Sequence, residues 1–388
     1  MLLKQIRYIV KNTIGFIERR KVFSVVLLVI FALLLRLPFF DYESGDYRLF
    51  LSNWCDVIVN HGGWHSWKAS FHNYQMPYIY LLTLFVYLPI KNLYAIKLLS
   101  LIFDFTAAFF VYKIVGIKYK NKFGIPLVAA MVFLCAPTIW LNSSAWGQCD
   151  VIYTTFLLMS CYCCLKQKYF LTFLFFGIAF TFKAQAFFFA PVLFILWYNK
   201  RFNPLYFLII PGIYLIAVLP AFFAGRGLWD LLTIYIWQSE TYNNLNRSAP
   251  NPYLFISDQY YDTLLLPGLI LAFVLMCLAI YFIIKKNKNI STEKWVEIIV
   301  FFLLFIPYIL PKMHDRFFYP ADTFSIVYAF YFVKKYYVAL FTIGGSLLVY
   351  PIFIHNGSSV PEYGGTFLTS FALFFMMTFV FAGSDKNN

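Results

Sequence analysis

Residues that could perform chemistry occur in this sequence as five short polar clusters, separated by long apolar runs. The clusters supply carboxylates, basic side chains and polar aromatic segments, and they comprise residues 41–48, 142–150, 183–185, 224–262 and 312–322. Carboxylates can take protons, and Arg and Lys bind phosphate through charge-assisted hydrogen bonds. Because charges near a membrane core are costly, polar clusters between apolar runs predict a functional site.

The first cluster holds three carboxylates within six residues, at Asp41, Glu43 and Asp46. It follows an apolar run and leads into a stretch with amphipathic spacing that contains Trp54 and Asp56. For any one of these carboxylates, a solvated loop rim is an equally good explanation. Asp46 comes after a glycine and directly before the amphipathic stretch, so we predict a functional role for Asp46.

Basic residues distinguish the third and fifth clusters. Lys183 joins two apolar runs with almost no loop, and a lysine that extends its ammonium group to the membrane surface would explain it. Lys312, His314 and Arg316 lie within five residues. So many cations away from the other basic loops require a local reason, and an anionic phosphate is the obvious candidate.

The second and fourth clusters are polar and aromatic. Trp146, Gln148 and Asp150 precede an apolar run, where a helix N-terminus would favour anions. A capped helix start with a Trp at the membrane interface is the simpler explanation. Residues 224–262 are long enough to cover a cavity and include Asn251 and Tyr253.

The composition is that of a membrane protein. Of 388 residues, 62% are hydrophobic and 12% are charged, and the mean hydropathy is +0.71. Soluble domains have roughly 45–50% apolar and about 25% charged residues. The fold class predicted is therefore an all-α polytopic membrane protein.

The net charge of +14 does not indicate nucleic-acid binding. The basic residues stand in short groups between apolar runs, as topology determinants do, so we predict no nucleic-acid partner. The seven cysteines show no CxxC with a His partner, and most lie in apolar segments. We therefore predict no metal site and no disulfide framework.

Apolar runs of spanning length and the distribution of Lys and Arg predict about twelve membrane-spanning helices in one domain, residues 1–388. The runs are residues 22–40, 93–116, 125–140, 150–165, 169–182, 186–198, 205–223, 264–284, 295–310, 320–333, 336–354 and 365–381.

The basic loops set the predicted orientation. Residues 1–21 and 382–388 are predicted to be the cytoplasmic N-terminus and tail, and residues 41–90 and 224–262 to be outer loops. Residues 76–90 are too short to cross comfortably, and counting them as a span would place a lysine-rich loop outside. We therefore predict that they form an interfacial segment, which places all five clusters on the outer face.

The clusters resemble the motifs of GT-C type glycosyltransferases. The chain is most similar to bacterial proteins related to the GPI-anchor mannosyltransferases, and more distantly to the ER glucosyltransferases that use dolichol-phosphate-glucose. The matching elements are Gly45-Asp46-Tyr47, Asn73-Tyr-Gln-Met-Pro77-Tyr, Trp146-Gly-Gln-Cys-Asp150, Lys183-Ala-Gln185, Ser248-Ala-Pro-Asn251-Pro-Tyr253 and Met313-His-Asp-Arg-Phe317. Two differ from the family pattern: Asp315 stands where Glu is usual, and Gln75-Met-Pro replaces a double-proline segment.

The resemblance implies transfer of a hexose from a polyprenyl-phosphate sugar donor to a glycan or glycolipid acceptor, with inversion and without a cofactor. It implies Asp46 as the general base and Lys183, His314 and Arg316 as donor-phosphate contacts. Sugar or acceptor contacts would come from Asp41, Glu43, Trp146, Gln148, Asp150, Gln185, Asn251 and Tyr253, with Asp41 or Glu43 as the reserve base.

The expected location is the plasma membrane, with the site on the non-cytoplasmic face among membrane lipids. The same number of helices is also typical of transporters. The alternative is therefore a multi-pass transporter, or a flippase or polymerase of lipid-linked glycans. Inverted repeats and polar residues at the membrane midplane would favour a transporter, and the sequence shows neither pattern.

Overall fold

A computed structural model describes residues 2–287, 290–354 and 362–382 of the chain. These residues are mostly helical, and each of the twelve apolar runs overlaps a helix. The α-helices are α1 Leu2–Arg19, α2 Lys21–Arg36, α3 Ser52–Asn60, α4 Met76–Val86, α5 Asn92–Lys118, α6 Gly124–Cys135, α7 Pro137–Trp140, α8 Asp150–Leu165, α9 Tyr169–Phe182, α10 Ala190–Tyr198, α11 Ile209–Phe223, α12 Leu228–Glu240, α13 Tyr261–Lys286, α14 Thr292–Ile309, α15 Tyr319–Tyr331, α16 Tyr337–Ile354 and α17 Glu362–Phe381.

Five helical segments among the described residues are long and apolar enough to cross a membrane. They are Lys21–Phe39, Asn92–Lys118, Pro204–Phe223, Asp258–Lys286 and Tyr363–Phe381. A sixth crossing is added if Gly124–Cys135 and Pro137–Trp146, which meet at a 53° bend, count as one span. The all-α membrane architecture is thus confirmed in this coarser form, whereas the number of twelve spans stays a prediction.

Burial separates central helices from peripheral ones. In α14 every residue from Trp295 to Pro307 is buried, and α14 packs against α15 and α17. By contrast, only 11% of the most apolar window of Pro204–Phe223 and 17% of that of Asp258–Lys286 are buried. Apolar surface of this extent is stable against lipid rather than water, so α11 and α13 are peripheral.

The end of the first apolar helix is held by Lys97 of α5. Its side chain is buried, and its Nζ donates hydrogen bonds to the carbonyl oxygens of Phe39 at 2.6 Å, Phe40 at 3.1 Å and Tyr42 at 2.6 Å. The last carbonyls of a helix have no partner within it, and a cation stabilises them. Lys97 therefore fixes the direction in which the chain leaves α2 toward Asp46.

A buried ion pair joins α2 to α5 further along. Arg36 donates from Nε and Nη2 to Asp104 Oδ2 at 3.1 and 2.9 Å, and neither side chain is exposed. Arg36 Nη1 also donates to the carbonyl oxygens of Ala32 and Leu134, both at 3.0 Å. Ser143 donates to the same Asp104 oxygen at 2.7 Å. The pair is thus enclosed by hydrogen bonds within the helix bundle.

Two predicted non-spanning regions contain helices that the sequence did not predict. The first is α1, within residues 1–21, and the second is α12, within residues 224–262. The helix α4 has 11 residues and is roughly 16 Å long, which is too short for a hydrocarbon layer of about 30 Å. Its length agrees with the prediction for residues 76–90. In the predicted tail, residues 383–388 lie outside the described residues.

Candidate functional site

Asp46 lies at the start of a helical turn with π-type hydrogen bonding, Tyr47–Leu51, which continues into α3. The segment before it is held by Ser44, whose buried hydroxyl donates to the carbonyl oxygen of Trp146 at 2.7 Å and accepts from the Tyr47 amide at 3.1 Å. Turns of this type are rare and occur often at functional sites. The Ser44 hydroxyl therefore joins the first cluster to the backbone of the second cluster.

Three donors converge on one oxygen of Asp46. Oδ2 accepts hydrogen bonds from Trp146 Nε1 at 3.0 Å, Gln148 Nε2 at 2.6 Å and Arg316 Nη1 at 2.7 Å. In the described part of the chain, Oδ1 accepts no hydrogen bond. The side chain of Asp46 is 23% exposed. The carboxylate is thus held in one orientation with its second oxygen left accessible.

The donors Trp146 and Gln148 are positioned by an irregular connection between α7 and α8. Residues Leu141–Trp146 form a second π-type turn, which ends at Gly147 with φ of +74°. A residue with a side chain rarely adopts that φ, so glycine is favoured there. The Ser100 hydroxyl of α5 then donates to the Gln148 carbonyl at 2.7 Å.

Asp150 and Lys183 form a buried ion pair beside this connection. Lys183 Nζ lies 2.6 Å from Asp150 Oδ1, with side-chain exposures of 5% and 0%. Asn142 donates to the other carboxylate oxygen at 3.0 Å. The ammonium group also lies 5.1 Å from the ring centroid of Tyr74, whose hydroxyl donates to Gln148 at 3.2 Å. Tyr74 therefore links the Lys183 pair to the Asp46 network.

Residues 313–316 reach the site through a short parallel sheet. Its strands are β1 Asn246–Arg247 and β2 Met313–His314, so part of the segment 224–262 is paired with the fifth cluster. The Arg316 guanidinium lies 5.5 Å from the ring centroid of Trp146. Arg316 Nε is buried and has no hydrogen-bond partner among the described residues. Arg316 thus holds Asp46 with one nitrogen, while its Nε is buried and unpaired in the described part of the chain.

His314 and Asp315 are neighbours in contact, through His314 Nδ1 and Asp315 Oδ1. Burial lowers the pKa of His314 well below its usual value, and the nearby Arg316 lowers it further. Burial raises the pKa of Asp315 well above its usual value, although Arg316 opposes this. Both directions favour uncharged forms near neutral pH, so His314 contributes a hydrogen-bonding ring rather than a positive charge.

The structure therefore brings four of the twelve predicted site residues into one network with Asp46 and Arg316 at its centre. The network comprises Asp46, Trp146, Gln148 and Arg316 by direct contact, with Tyr74 added; Asp150 and Lys183 adjoin it through Tyr74. His314 lies beside it, with its ring centroid 6.4 Å from that of Trp146.

The other predicted residues lie elsewhere in the hydrogen-bond pattern. Asp41 and Glu43 are exposed, and Asp41 accepts from the Tyr94 hydroxyl. Gln185 is half-buried in the 3-10 turn after Lys183. These contacts do not join the Asp46 network, and roles in sugar or acceptor binding stay predictions.

Asn251 supports the loop from within. Its amide nitrogen donates to the carbonyl oxygens of Pro307 at 3.1 Å and Leu310 at 3.0 Å, and its oxygen accepts from Asn246 and from the Tyr253 amide. It is completely buried, while Tyr253 is half-buried. In this structure Asn251 fastens the 224–262 segment to the end of α14.

Sequence reasoning assigned no role to Tyr74, Ser44 or Ser100, which organise the site. Tyr74 lies inside the Asn73–Tyr78 element quoted above and could have been found there. The two serines are common residues in polar loops, and no pattern around them distinguishes them. Across the described residues, no group of three or more His, Cys, Asp and Glu side chains is placed to hold a metal ion, and the absence of a metal requirement stays a prediction.

No protein-family model matches this sequence, and no curated protein is significantly similar to it.

Proposed function

We propose that this chain is a membrane glycosyltransferase of the GT-C type that moves a hexose from a polyprenyl-phosphate donor to a lipid-linked or cell-envelope glycan acceptor. The observation that carries the proposal is the Asp46 carboxylate, held on one oxygen by three donors and open on the other, beside Arg316. The motif resemblance supports it, because matching elements from three separate segments meet at this carboxylate.

In the proposed reaction Asp46 is the general base. Its Oδ1 takes the proton of the acceptor hydroxyl as the hydroxyl oxygen forms a bond to the anomeric carbon. The bond from that carbon to the phosphate oxygen breaks, and its electron pair leaves with the polyprenyl phosphate. Attack from the face opposite the leaving group inverts the anomeric centre. The donors on Oδ2 hold the carboxylate in place throughout.

Arg316 is the proposed contact for the leaving phosphate. Its forked guanidinium, on a side chain that is 14% exposed, suits a phosphate oxygen, and its charge stabilises the negative charge that develops there. Lys183 forms an ion pair with Asp150, so it would act by fixing the shape and the electrostatic field of the site. His314, uncharged near neutral pH, would donate or accept one hydrogen bond.

A site beside apolar helices suits a lipid-linked donor. The polyprenyl chain stays in the bilayer, while its phosphate and sugar reach polar residues at the helix ends. Since Asp46 lies in the segment that follows α2 and Asp150 begins α8, the site is at one end of the bundle. The distribution of Lys and Arg supports the non-cytoplasmic face of the plasma membrane for that end.

The test is a transfer assay on the purified protein in lipid. It is incubated with a panel of polyprenyl-phosphate hexoses and an extract of lipid-linked glycans, and release of polyprenyl phosphate is measured. We expect release with at least one donor, dependent on the acceptor extract and accompanied by a glycan one hexose longer. No release from any donor would contradict the proposal, and movement of a lipid-linked glycan across vesicles without sugar transfer would favour the flippase.

A further inference from the structure

Four lysines converge on a pocket that belongs to no part of the site described above. The pocket has a volume of about 380 Å³, within the range of about 300–1,000 Å³ typical of small-molecule sites. Its basic residues come from three stretches of the chain: Lys21 from the start of α2, Lys113 and Lys122 from α5 and the loop after it, and Lys166 from the residue after α8. Tyr and Asn side chains, which are hydrogen-bond donors, complete its polar lining.

This pocket and the Asp46 site lie at opposite ends of the same helices. Asp150 begins α8 and belongs to the Asp46 site, whereas Lys166 follows the last residue of α8 and lines the pocket. The 16 residues of α8 are roughly 24 Å long. Likewise Lys21 begins α2, and Asp46 follows its other end. The two places are therefore too far apart to share one small ligand.

The lysines of the pocket lack the partners that usually neutralise such a group. In the described part of the chain, none of the four lies within 4.0 Å of a carboxylate oxygen, although four lysine–carboxylate pairs occur elsewhere. The neighbouring acid is Glu18, whose Oε1 accepts from the backbone amides of Phe123 and Gly124 at 2.8 Å. Four positive charges thus face one carboxylate that is already engaged at the start of α6.

Aromatic rings hold two of the ammonium groups at the wall of the pocket. Lys113 Nζ lies 5.7 Å from the ring centroid of Tyr162, and Lys21 Nζ lies 5.5 Å from that of Phe123. Such contacts orient a cation without neutralising it. The positive-inside rule accounts for basic residues in these loops, and Lys120 and Lys168 already satisfy that rule without lining the pocket. Convergence of the other lysines on one concave surface calls for an anionic ligand.

We propose that the pocket binds a phosphate group, carried by a lipid headgroup or by a soluble phosphate. Lysine ammonium groups and phenol or amide donors match the oxygens of a phosphate, and basic pockets between membrane helices recognise anionic headgroups in this way. The pocket lies at the ends of Lys21–Phe39 and Asn92–Lys118, two segments able to cross a membrane. A headgroup at the bilayer surface would reach it from the side, with its acyl chains along the apolar helices.

The experiment measures binding of a fluorescent phosphatidylglycerol to the full-length protein in neutral detergent, with phosphatidylcholine as the neutral probe. Two double variants carry the same change in charge in the same loops. All four lysines are exposed: Lys122→Gln with Lys166→Gln removes two that line the pocket, and Lys120→Gln with Lys168→Gln removes two in the same loops that do not line it. Each lysine near an anionic headgroup contributes about 1 kcal/mol, so we expect the first pair to weaken binding about thirtyfold and the second less than about threefold.

Inorganic phosphate, added as a competitor, separates the two sources. Displacement of the probe by inorganic phosphate supports the proposal with a soluble phosphate as ligand, and binding that inorganic phosphate leaves unchanged supports it with a lipid headgroup. Equal losses in the two double variants, or equal affinity for phosphatidylcholine, would overturn the proposal. Because the measurement is binding and not sugar transfer, its result is independent of the function proposed for Asp46.

Discussion

Two carboxylate–arginine pairs in this molecule are built from similar parts and differ in access. Asp104 accepts from Arg36 and Ser143 on one oxygen, and Asp46 accepts from Arg316, Trp146 and Gln148 on one oxygen. The Asp104 pair is completely buried between helices, whereas Asp46 is 23% exposed at the end of the bundle. Similar hydrogen bonding therefore supports two roles. The pair at Asp104 is closed to solvent and stabilises helix packing, whereas the pair at Asp46 is open to solvent and presents an oriented oxygen to a ligand.

One short segment connects the two pairs. The π-type turn Leu141–Trp146 supplies Ser143 to Asp104 and Trp146 to Asp46. A disturbance of the buried pair would thus reach the accessible one through a few residues. The variants below separate the roles by measuring turnover and stability side by side.

The largest effect is expected for Asp46→Asn. The amide keeps the size of the side chain but cannot take a proton, so sugar transfer should fall about 10²- to 10⁴-fold. Thermal unfolding in detergent should change little, because the side chain is partly exposed. Turnover in the donor panel and the melting temperature are the two measurements. If this variant kept wild-type turnover, Asp46 would not be the base.

Asp104→Ala should act on stability instead. It leaves Arg36 buried without its carboxylate, which costs about 3–5 kcal/mol in the free energy of unfolding. The matched variant replaces both partners, Arg36→Met with Asp104→Leu, and should recover most of that loss because no unpaired charge remains. The yield of folded protein and its melting temperature report both. A double variant as unstable as the single one would show that the pair does more than neutralise charge.

Arg316→Ala tests whether the accessible pair handles the donor. Loss of a charge-assisted contact of about 1.5–3 kcal/mol should raise KM for the polyprenyl-phosphate sugar about 10- to 150-fold. Arg316→Lys should restore part of it, since a point charge replaces the fork. Donor saturation curves measure the effect. Unchanged donor saturation in the Ala variant would remove Arg316 from the phosphate contact and leave it as a support for Asp46.

A histidine–arginine pair, His72 with Arg226, extends the comparison to the pH dependence of stability. Burial, with the nearby Arg226, lowers the pKa of His72 from 6.5 to about 3. The unfolded chain binds the proton more readily, so stability is full above about pH 6.5 and falls as the pH drops toward 3. Between pH 6.5 and 5 the loss should be about 2 kcal/mol. Melting temperatures across this range should fall less steeply for His72→Gln than for the wild type.

The matched control for that slope is His61→Gln, which changes an exposed histidine of the same region. Its melting temperatures should follow those of the wild type at every pH. An unchanged slope in His72→Gln would mean that another group governs the acid sensitivity.

The smallest effect is expected for the double variant Asp41→Asn with Glu43→Gln. Both side chains are exposed and lie outside the Asp46 network, so stability should change by less than about 0.5 kcal/mol. Transfer should stay within about twofold of the wild type. This variant is also the comparison for Asp46→Asn at the two neighbouring carboxylates. If this double variant lost as much sugar transfer as Asp46→Asn, the general base would be Asp41 or Glu43 instead of Asp46.

Sequence alone was sufficient for the positions of most helices and for the residue types that meet in the candidate site. Apolar periodicity and run length are local properties, so each predicted run coincides with a helix. The same two properties did not predict α1 and α12, because these polar or mixed stretches contain no long apolar run. The number of crossings was not determined by the same signal, since short buried helices such as α15 are held by their neighbours and need not meet the length of a span.

The pairing of residues was decided by the tertiary structure. Asp46 and Arg316 are 270 residues apart, and the local pattern that singles out Asp46 does not show that Arg316 reaches it while Asp41 stays exposed. The opening feature of the sequence, three carboxylates within six residues, becomes one oriented carboxylate and two solvated ones. The physical reason is that hydrophobic pattern acts along the chain, whereas hydrogen bonding and burial depend on which helix ends the packing brings together.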